Sequence, residues 1–530
     1  MTAEQGRPDP AAHEPVNEYE REPVPPQARL GFKSFIGQYA GEHCAGTELM
    51  IGPLFVAAGV SAFDVVFGLI VGNALAVLSW VFLTAPIATR TRLTLYYQLE
   101  KICGRQLVTL YNLANGVMFC FLAGAMVTVS ATAIGVWFDF PMPELDDVYP
   151  NSIGWVLAVL VVGGLISFVA AYGYRFVARV ANIAAPWMVL VFFAFGLVGL
   201  RQMGVESLAD FWPKAKEVIW TGGEPLAGKL KFTFWHVMFF AWFCNLAMHV
   251  GMSDLTVFRF ARKSWYAVAT ASGMYVGHFM AWLSASILYA VQLRNDPGNT
   301  AVLPGPLAYN ACGLAGLLCV IIAGWTTANP TIYRAGLAFQ AITPKSSRYR
   351  VTLVTGAIAT IAGMFPAIAM KLLDFVALYG LILMPMGAVV FVDFWLMEKL
   401  GLKRNFAERS GVRFNWAAGA AWIATLVICL ALVTSGKPYF QIYFVSLPGW
   451  FMAAFLFIAI SYVLQNGIHE LATFRLGAQV VSWIALAGVV VPGFLFLGGS
   501  VELDRVKWLL ILSTIAWFVA TPLWMERKAE

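Results

Sequence analysis

The sequence predicts an all-α, polytopic membrane protein, and three observations carry that expectation. Charged residues make up 12% of the 530-residue chain against 60% of hydrophobic type, whereas a water-facing surface needs about 25% charged. Mean hydropathy is +0.72. The charges are also confined: they bound thirteen windows of eighteen or more residues without Asp, Glu, Lys or Arg, from Val65–Thr89 to Trp508–Met525. A bilayer core takes about 20 apolar residues per helix. Barrel strands alternate over about 10 residues, and these windows are apolar all round, which excludes a β-barrel.

In chain order, the first 36 residues are rich in Pro and Glu and lack an apolar core, so they read as a disordered tail without a cleavable signal. Spans follow near 40–60, 61–88, 106–136, 152–172, 178–200, 232–252, 264–292, 307–332, 351–370, 372–396, 415–434, 441–465, 477–499 and 507–525. Between spans 5 and 6, the stretch Arg201–Lys231 is a long loop with a short interfacial helix near Glu206–Trp212. With the N-terminus inside, segments on that side hold 25 of the 35 Lys and Arg residues, so both termini are expected in the cytoplasm of a cell-membrane protein. The net charge of +6 lies between spans, where it sets orientation, and nucleic acid is not an expected partner. The seven cysteines are scattered with no CxxC, which argues against both disulfides and zinc.

Two spans are interrupted by polar residues. Span 1 has only Leu49–Phe63 free of charge, bounded by Glu48 and Asp64, and carries Met50-Ile51-Gly52-Pro53. Proline removes a backbone donor, so the helix is expected to break at that Gly-Pro pair. Span 6 carries Asn245, His249 and Gly251-Met252-Ser253-Asp254. Interrupted helices at matching positions of two oppositely running halves point to an inverted-repeat transporter. Span 8 holds Ala323-Gly324-Trp325-Thr326-Thr327-Ala328-Asn329-Pro330-Thr331-Ile332-Tyr333-Arg334. Adjacent hydroxyls before Asn-Pro supply hard oxygens to a dehydrated monovalent cation, which needs about five. Alone, such hydroxyls bond back to their own helix.

The span 8 string resembles the Ala-x-Trp-Ser-Thr-Asn-Pro pattern of the nucleobase–cation symporter-1 family, the purine–cytosine permeases and sodium–hydantoin symporters, with one residue inserted. Leu373-Asp374-Phe375, Val392-Asp393-Phe394-Trp395, Ala57-Ala58-Gly59 and Ser253-Asp254 look like weaker family elements. The resemblance covers the first ten spans and implies a LeuT-type fold of two inverted five-helix repeats. The expected layout is then a first repeat over 37–200, a second over 201–397, and additional C-terminal helices over 398–530, with 12 to 14 spans in all. It further implies a sodium site from the carbonyls of Thr47, Met50 and Ala323 and the hydroxyls of Thr326 and Thr327. Around the substrate it places Ile51, Phe119, Ala123, Asn245, Tyr333 and Leu373; Glu48, Gly52 and Asn329 complete the expected substrate residues. Where the family sandwiches its substrate between tryptophans and holds it with amides, this chain has Phe119, Asn245, Ile51 and Ala123. A hydantoin is therefore an unexpected solute.

Glu48 has two readings. A carboxylate at mid-depth must face a cavity and balance a cation, or span 1 starts later and Glu48 sits at the interface. His43, His236, His249 and His278 are too scattered along the chain for a metal site. Phosphate-binding loops, Gly-x-Ser-x-Gly and His-Glu-x-x-His are absent, so pumping by hydrolysis and enzymatic catalysis lack machinery. The expected function is a sodium-coupled symporter of a small polar or heterocyclic solute. A proton-coupled carrier of a cationic or vitamin-like solute, or a channel, is the alternative.

Overall fold

The computed structural model describes residues 19–144, 147–370, 372–437, 440–466, 474–497 and parts of 509–520. Among them, helices are the only regular secondary structure. α1 (Phe32–His43) and α2 (Glu48–Ala57) form the first expected span. They are followed by α3 (Ala62–Thr91), α4 (Leu95–Cys103), α5 (Arg105–Phe138), α6 (Ile153–Ala171) and α7 (Tyr174–Gln202). The interfacial helix expected near Glu206–Trp212 is α8 (Leu208–Lys214). Then come α9 (Phe234–Phe243), α10 (Ser264–Asn295), α11 (Pro304–Ile342, kinked at Cys312–Gly313 where the backbone leaves the helical region) and α12 (Arg348–Ala362). The last are α13 (Leu372–Trp395), α14 (Trp416–Thr434), α15 (Ile442–Asn466) and α16 (Phe474–Leu497). Nine helices among the described residues are long and apolar enough to cross a membrane. The expected span at 507–525 falls mostly outside the described residues.

Local chemistry sets the helix ends. The Ser61 hydroxyl accepts from Asp64 N (3.2 Å) to start α3, and the Ser152 hydroxyl accepts from Trp155 N (3.1 Å) to start α6. In the exposed α8, Ser207 and Asp210 cap each other reciprocally. These bonds to the Ser207 hydroxyl and backbone hold the Asp210 carboxyl below its ordinary range. Wider π turns occur at Trp80–Thr84 within α3, at Ala215–Ile219 directly after α8 and at Ser272–Phe279 within α10. Such turns insert a residue and re-aim the side chains that follow.

Part of the expected tail is ordered. Residues 19–36 dock on the helices: Val24, Ala28 and Phe35 are buried, Leu30 N donates to Phe260 O (2.7 Å), and Arg262 N donates back to Leu30 O (3.2 Å). A few spaced apolar side chains and a short backbone ladder hold this segment, which a composition average hides. Residues 1–18 lie outside the described residues.

The chain divides into two compact units. The first comprises 1–98, 109–384 and 442–444; the second comprises 99–108, 385–441 and 445–530. In the second, the Asn415 side chain caps α14 through Ala417 N (3.1 Å) and donates to Ile102 O (2.9 Å). In the first, α2 runs between two apolar clusters. Ile51 and Phe55 join Trp220, Phe240 and Trp282 on one side, and Leu49 joins Val129, Phe192 and Val320 on the other. α2 also packs closely on α10: a Cβ on Gly52 would fall 2.5 Å from the Trp282 carbonyl oxygen.

Candidate functional site

The first interruption lies at Cys44–Thr47, between α1 and α2, one turn before the Gly52-Pro53 pair expected to cause it. Pro53 sits inside α2. The break is held instead by packing at Gly46, where a Cβ would lie 2.7 Å from Val129 Cγ1. Helix ends leave their last carbonyls without intrahelical donors, and α1 ends in this way inside the first unit. Thr326 Oγ1 donates to Gly41 O (2.9 Å) and Thr327 Oγ1 to Glu42 O (2.9 Å). Both hydroxyls also reach Ala323 O, at 3.2 and 3.0 Å. Three carbonyls and two hydroxyls thus converge between the end of α1 and the middle of α11. The negative end of the α1 dipole adds to the cluster's preference for a cation.

Three of the five residues expected as sodium ligands meet in this cluster and two do not. Ala323, Thr326 and Thr327 come together, but with Gly41 and Glu42 rather than Thr47 and Met50. The Thr47 carbonyl already accepts from Met50 N (2.9 Å) and Ile51 N (3.1 Å) in the first turn of α2. Met50 packs against the apolar cluster around Leu49. The register moves because the helix breaks earlier than its proline suggests.

Beside the oxygen cluster lies a cavity of about 60 Å³. Of the expected residues, Thr47, Glu48, Ile51, Asn245 and Thr327 line it. The interruption of span 6, where α9 gives way after Phe243 to a turn at Leu246–His249, brings in Cys244, Asn245, Ala247 and Met248. α5 contributes Leu122 and Met126 rather than Phe119 and Ala123. Phe119 stands behind the lining, its ring centroid 4.9 Å from that of Tyr379, which does line the cavity. Ala123 is buried in the helix packing. Gly52 faces α10. Asn329 donates to Ile166 O (3.0 Å) and accepts from Trp325 Nε1 (2.9 Å), which fixes it to α6 and to its own helix. Tyr333 is buried against Tyr174 and receives Arg259 Nη2 (3.4 Å). None of these five, Phe119 included, is among the described lining residues. The side chain of Leu373 lies outside the described residues.

The lining also contains Glu42, His43 and His278, to which the sequence assigns no role. Glu42 belongs to a buried charge network. Arg334 Nη1 donates to Glu42 Oε1 (2.6 Å), and its Nη2 donates to Asp254 Oδ1 (2.7 Å). Asp254 Oδ2 accepts from Tyr39 Oη (2.6 Å) and Trp80 Nε1 (2.7 Å). Arg334 and Asp254 each close a long charge-free window, which was the available hint that they pair. Glu48 is buried, accepts from Trp282 Nε1, and has His278 Nε2 3.8 Å from its other oxygen. His43 and His278 meet at 4.7 Å between ring centroids. His278 reaches this position from the π turn of α10, where Gly277 packs against the His43 backbone. No sequence signal announces a π turn. His249 packs on Trp80 (4.7 Å) and bonds to Trp242 O (2.9 Å). Among the described residues, no three His, Cys, Asp or Glu side chains are arranged to hold a metal ion.

No protein-family model and no curated protein matches the chain. Solved structures do. Mhp1, a nucleobase-cation-symport-1 family transporter in a closed conformation with bromovinylhydantoin bound, aligns over 86% of this chain and 98% of its own, with a TM-score of 0.64 at 14% identity. The inward-facing conformation of Mhp1 aligns over 88% and 96%, with a TM-score of 0.59 at 14% identity. A Na⁺-coupled sialic acid symporter in a substrate-bound outward-open state aligns over 82% and 90%, with a TM-score of 0.60 at 13% identity. At these identities the likeness is one of fold: the chain is a multi-pass membrane protein with the LeuT-type fold of these transporters.

Proposed function

We propose that this protein is a secondary active transporter of the nucleobase–cation symporter-1 kind, coupling sodium to the movement of a small polar or heterocyclic solute by alternating access. The observation that carries the reading is the convergence of the Gly41, Glu42 and Ala323 carbonyls with the Thr326 and Thr327 hydroxyls. Five neutral hard oxygens suit a dehydrated sodium ion, and they join a broken helix to a helix of the other proposed repeat, 201–397. Sodium bound there would favour one arrangement of the two elements over the other, which is what coupling requires. The proposed halves are 37–200 and 201–397, with 398–530 as additional helices and both termini in the cytoplasm.

The adjoining cavity is the proposed solute site, with Glu48, Ile51, Asn245 and Tyr379 in its wall. Its described lining contains no tryptophan, so stacking of a ring from both sides, as bromovinylhydantoin would invite, is poorly supported. Uptake into proteoliposomes tests the function. A sodium gradient should drive accumulation of the solute, and the Thr326→Ala, Thr327→Ala double variant should lose the sodium response. Uptake equally fast without any ion gradient would mean a channel. Accumulation driven by a proton gradient alone would favour the proton-coupled reading, in which Glu48 or His249 carries the proton.

A further inference from the structure

We infer that the cavity beside Glu48 is a binding site for a small, delocalised organic cation bearing N–H groups, of the guanidinium or amidinium class. This rests on the reading of the cavity as a solute site and names what the solute is.

The argument begins with charge. Three carboxylates lie in or against this region, Glu42, Glu48 and Asp254, and one guanidinium, Arg334, is spent on two of them. Glu48 has no Lys or Arg partner among its described contacts. An indole N–H from Trp282 and the N-terminus of α2 give it partial positive charge, and His278 stands 3.8 Å away. A buried carboxylate supported by dipoles alone is short of a full counter-charge. The second observation is independent of charge. His278 is buried, lines the cavity, and its Nδ1 has no hydrogen-bond partner among the described residues. With Nε2–H turned toward Glu48, Nδ1 is an acceptor that needs a donor, and a ligand N–H supplies one.

The walls select the kind of cation. Ile51, Leu122, Met126, Met248 and Val376 form the apolar part of the lining, beside the neutral polar groups of Thr47, Asn245, Thr327, Thr331 and Tyr379. A bare alkali ion needs about five oxygens converging on one point, and such a convergence is present in the adjoining hydroxyl–carbonyl cluster of Gly41, Glu42, Ala323, Thr326 and Thr327. A compact ammonium is strongly hydrated, whereas guanidinium is weakly hydrated and matches a carboxylate with two parallel N–H groups. Size agrees. The cavity of about 60 Å³ holds about four to six water-sized spheres at 10–15 Å³ each, enough for one carbon and its three nitrogens with a methyl group.

The test uses the purified full chain in detergent and two probes of the same shape, methylguanidinium and neutral methylurea. Methylguanidinium should raise the thermal unfolding midpoint at millimolar concentration in sodium-free buffer, and methylurea should not. Glu48→Gln should weaken methylguanidinium binding tenfold or more. Equal shifts by both probes, or cation binding unchanged in Glu48→Gln, would overturn the inference. Should Glu48→Gln fail to fold, the charged and neutral probes on the parent still decide it. The two readings fail separately. Cation binding that survives in the Thr326→Ala, Thr327→Ala variant, with no sodium response in the parent, sinks sodium coupling and keeps this site. A parent that responds to sodium but to neither probe keeps the coupling and discards this site.

Discussion

Glu42 and Glu48 flank the same helix break, and their surroundings differ in kind. Glu42 closes α1 and meets Arg334 through both carboxylate oxygens, at 2.6 and 3.4 Å, while the same guanidinium holds Asp254. Glu48 opens α2 with an indole and an imidazole for company. The first carboxylate is built into a charge-paired network that ties α1, α11 and the interruption after α9 together. The second is left for something else to complete. A buried charge with its partner in place ties elements together, and a buried carboxylate without one takes a proton or the positive charge of a ligand.

The contrast can be broken most severely at Arg334. Arg334→Met would strand two buried carboxylates, and removing one member of such a network costs about 3–5 kcal/mol. Loss of folded protein on size-exclusion chromatography, or a large drop in unfolding midpoint, is the expected result. A variant as stable as the parent would show that the network does not hold these elements together. Glu48→Gln is the matched experiment on the other side of the break. It should leave the unfolding midpoint level or raised, since a neutral amide is easier to bury than an unpaired carboxylate, while solute affinity falls.

Smaller effects sharpen the comparison. Thr326→Ala with Thr327→Ala should cost about 1 kcal/mol per lost hydroxyl bond, read by thermal unfolding, and should abolish sodium stimulation of uptake. A retained sodium response would place the ion elsewhere. Asn245→Ala should weaken solute binding less than Glu48→Gln does, because it removes a neutral group; an equal or larger loss would move the recognition to the span 6 interruption. The least effect is expected at Asp210, whose carboxyl is held low by Ser207. A lowered pKa means its contribution to α8 is complete above the ordinary carboxylate range and is lost as pH falls through the folded value. Protection from amide exchange over 207–214, taken relative to the intrinsic rate at each pH, should therefore fall below about pH 4 in the parent and show no such step in Asp210→Asn.

The chain's helices were legible because the bilayer imposes a length and a composition that charges punctuate visibly. The α8 segment and the Thr326–Thr327 pair were legible for a similar reason: each is a local pattern whose chemistry lies within a few residues. The break in span 1 was not. Pro53 is the obvious local cause, yet the chain breaks at Cys44–Thr47, where Gly46 meets Val129 and Val320 from helices far along the sequence. Likewise Asn329 and Tyr333 belong to a motif that reads as a binding string, and packing turns them to α6 and to Arg259.

What the sequence determined by itself was therefore the solvent, the order of the spans, which two of them are interrupted, and the hydroxyl pair that suits a cation. Tertiary structure alone decided which carbonyls those hydroxyls meet, that Arg334 is matched to Glu42 and Asp254, and that Glu48 has an indole and an imidazole beside it but no Lys or Arg among its described contacts. The reason is physical. Helix formation in a membrane is dictated by backbone hydrogen bonding and local polarity, whereas the face a residue presents depends on helix rotation, on breaks, and on inserted turns such as Ser272–Phe279. A shift of one residue there turns a side chain by about 100°, and only the packing of distant segments sets it.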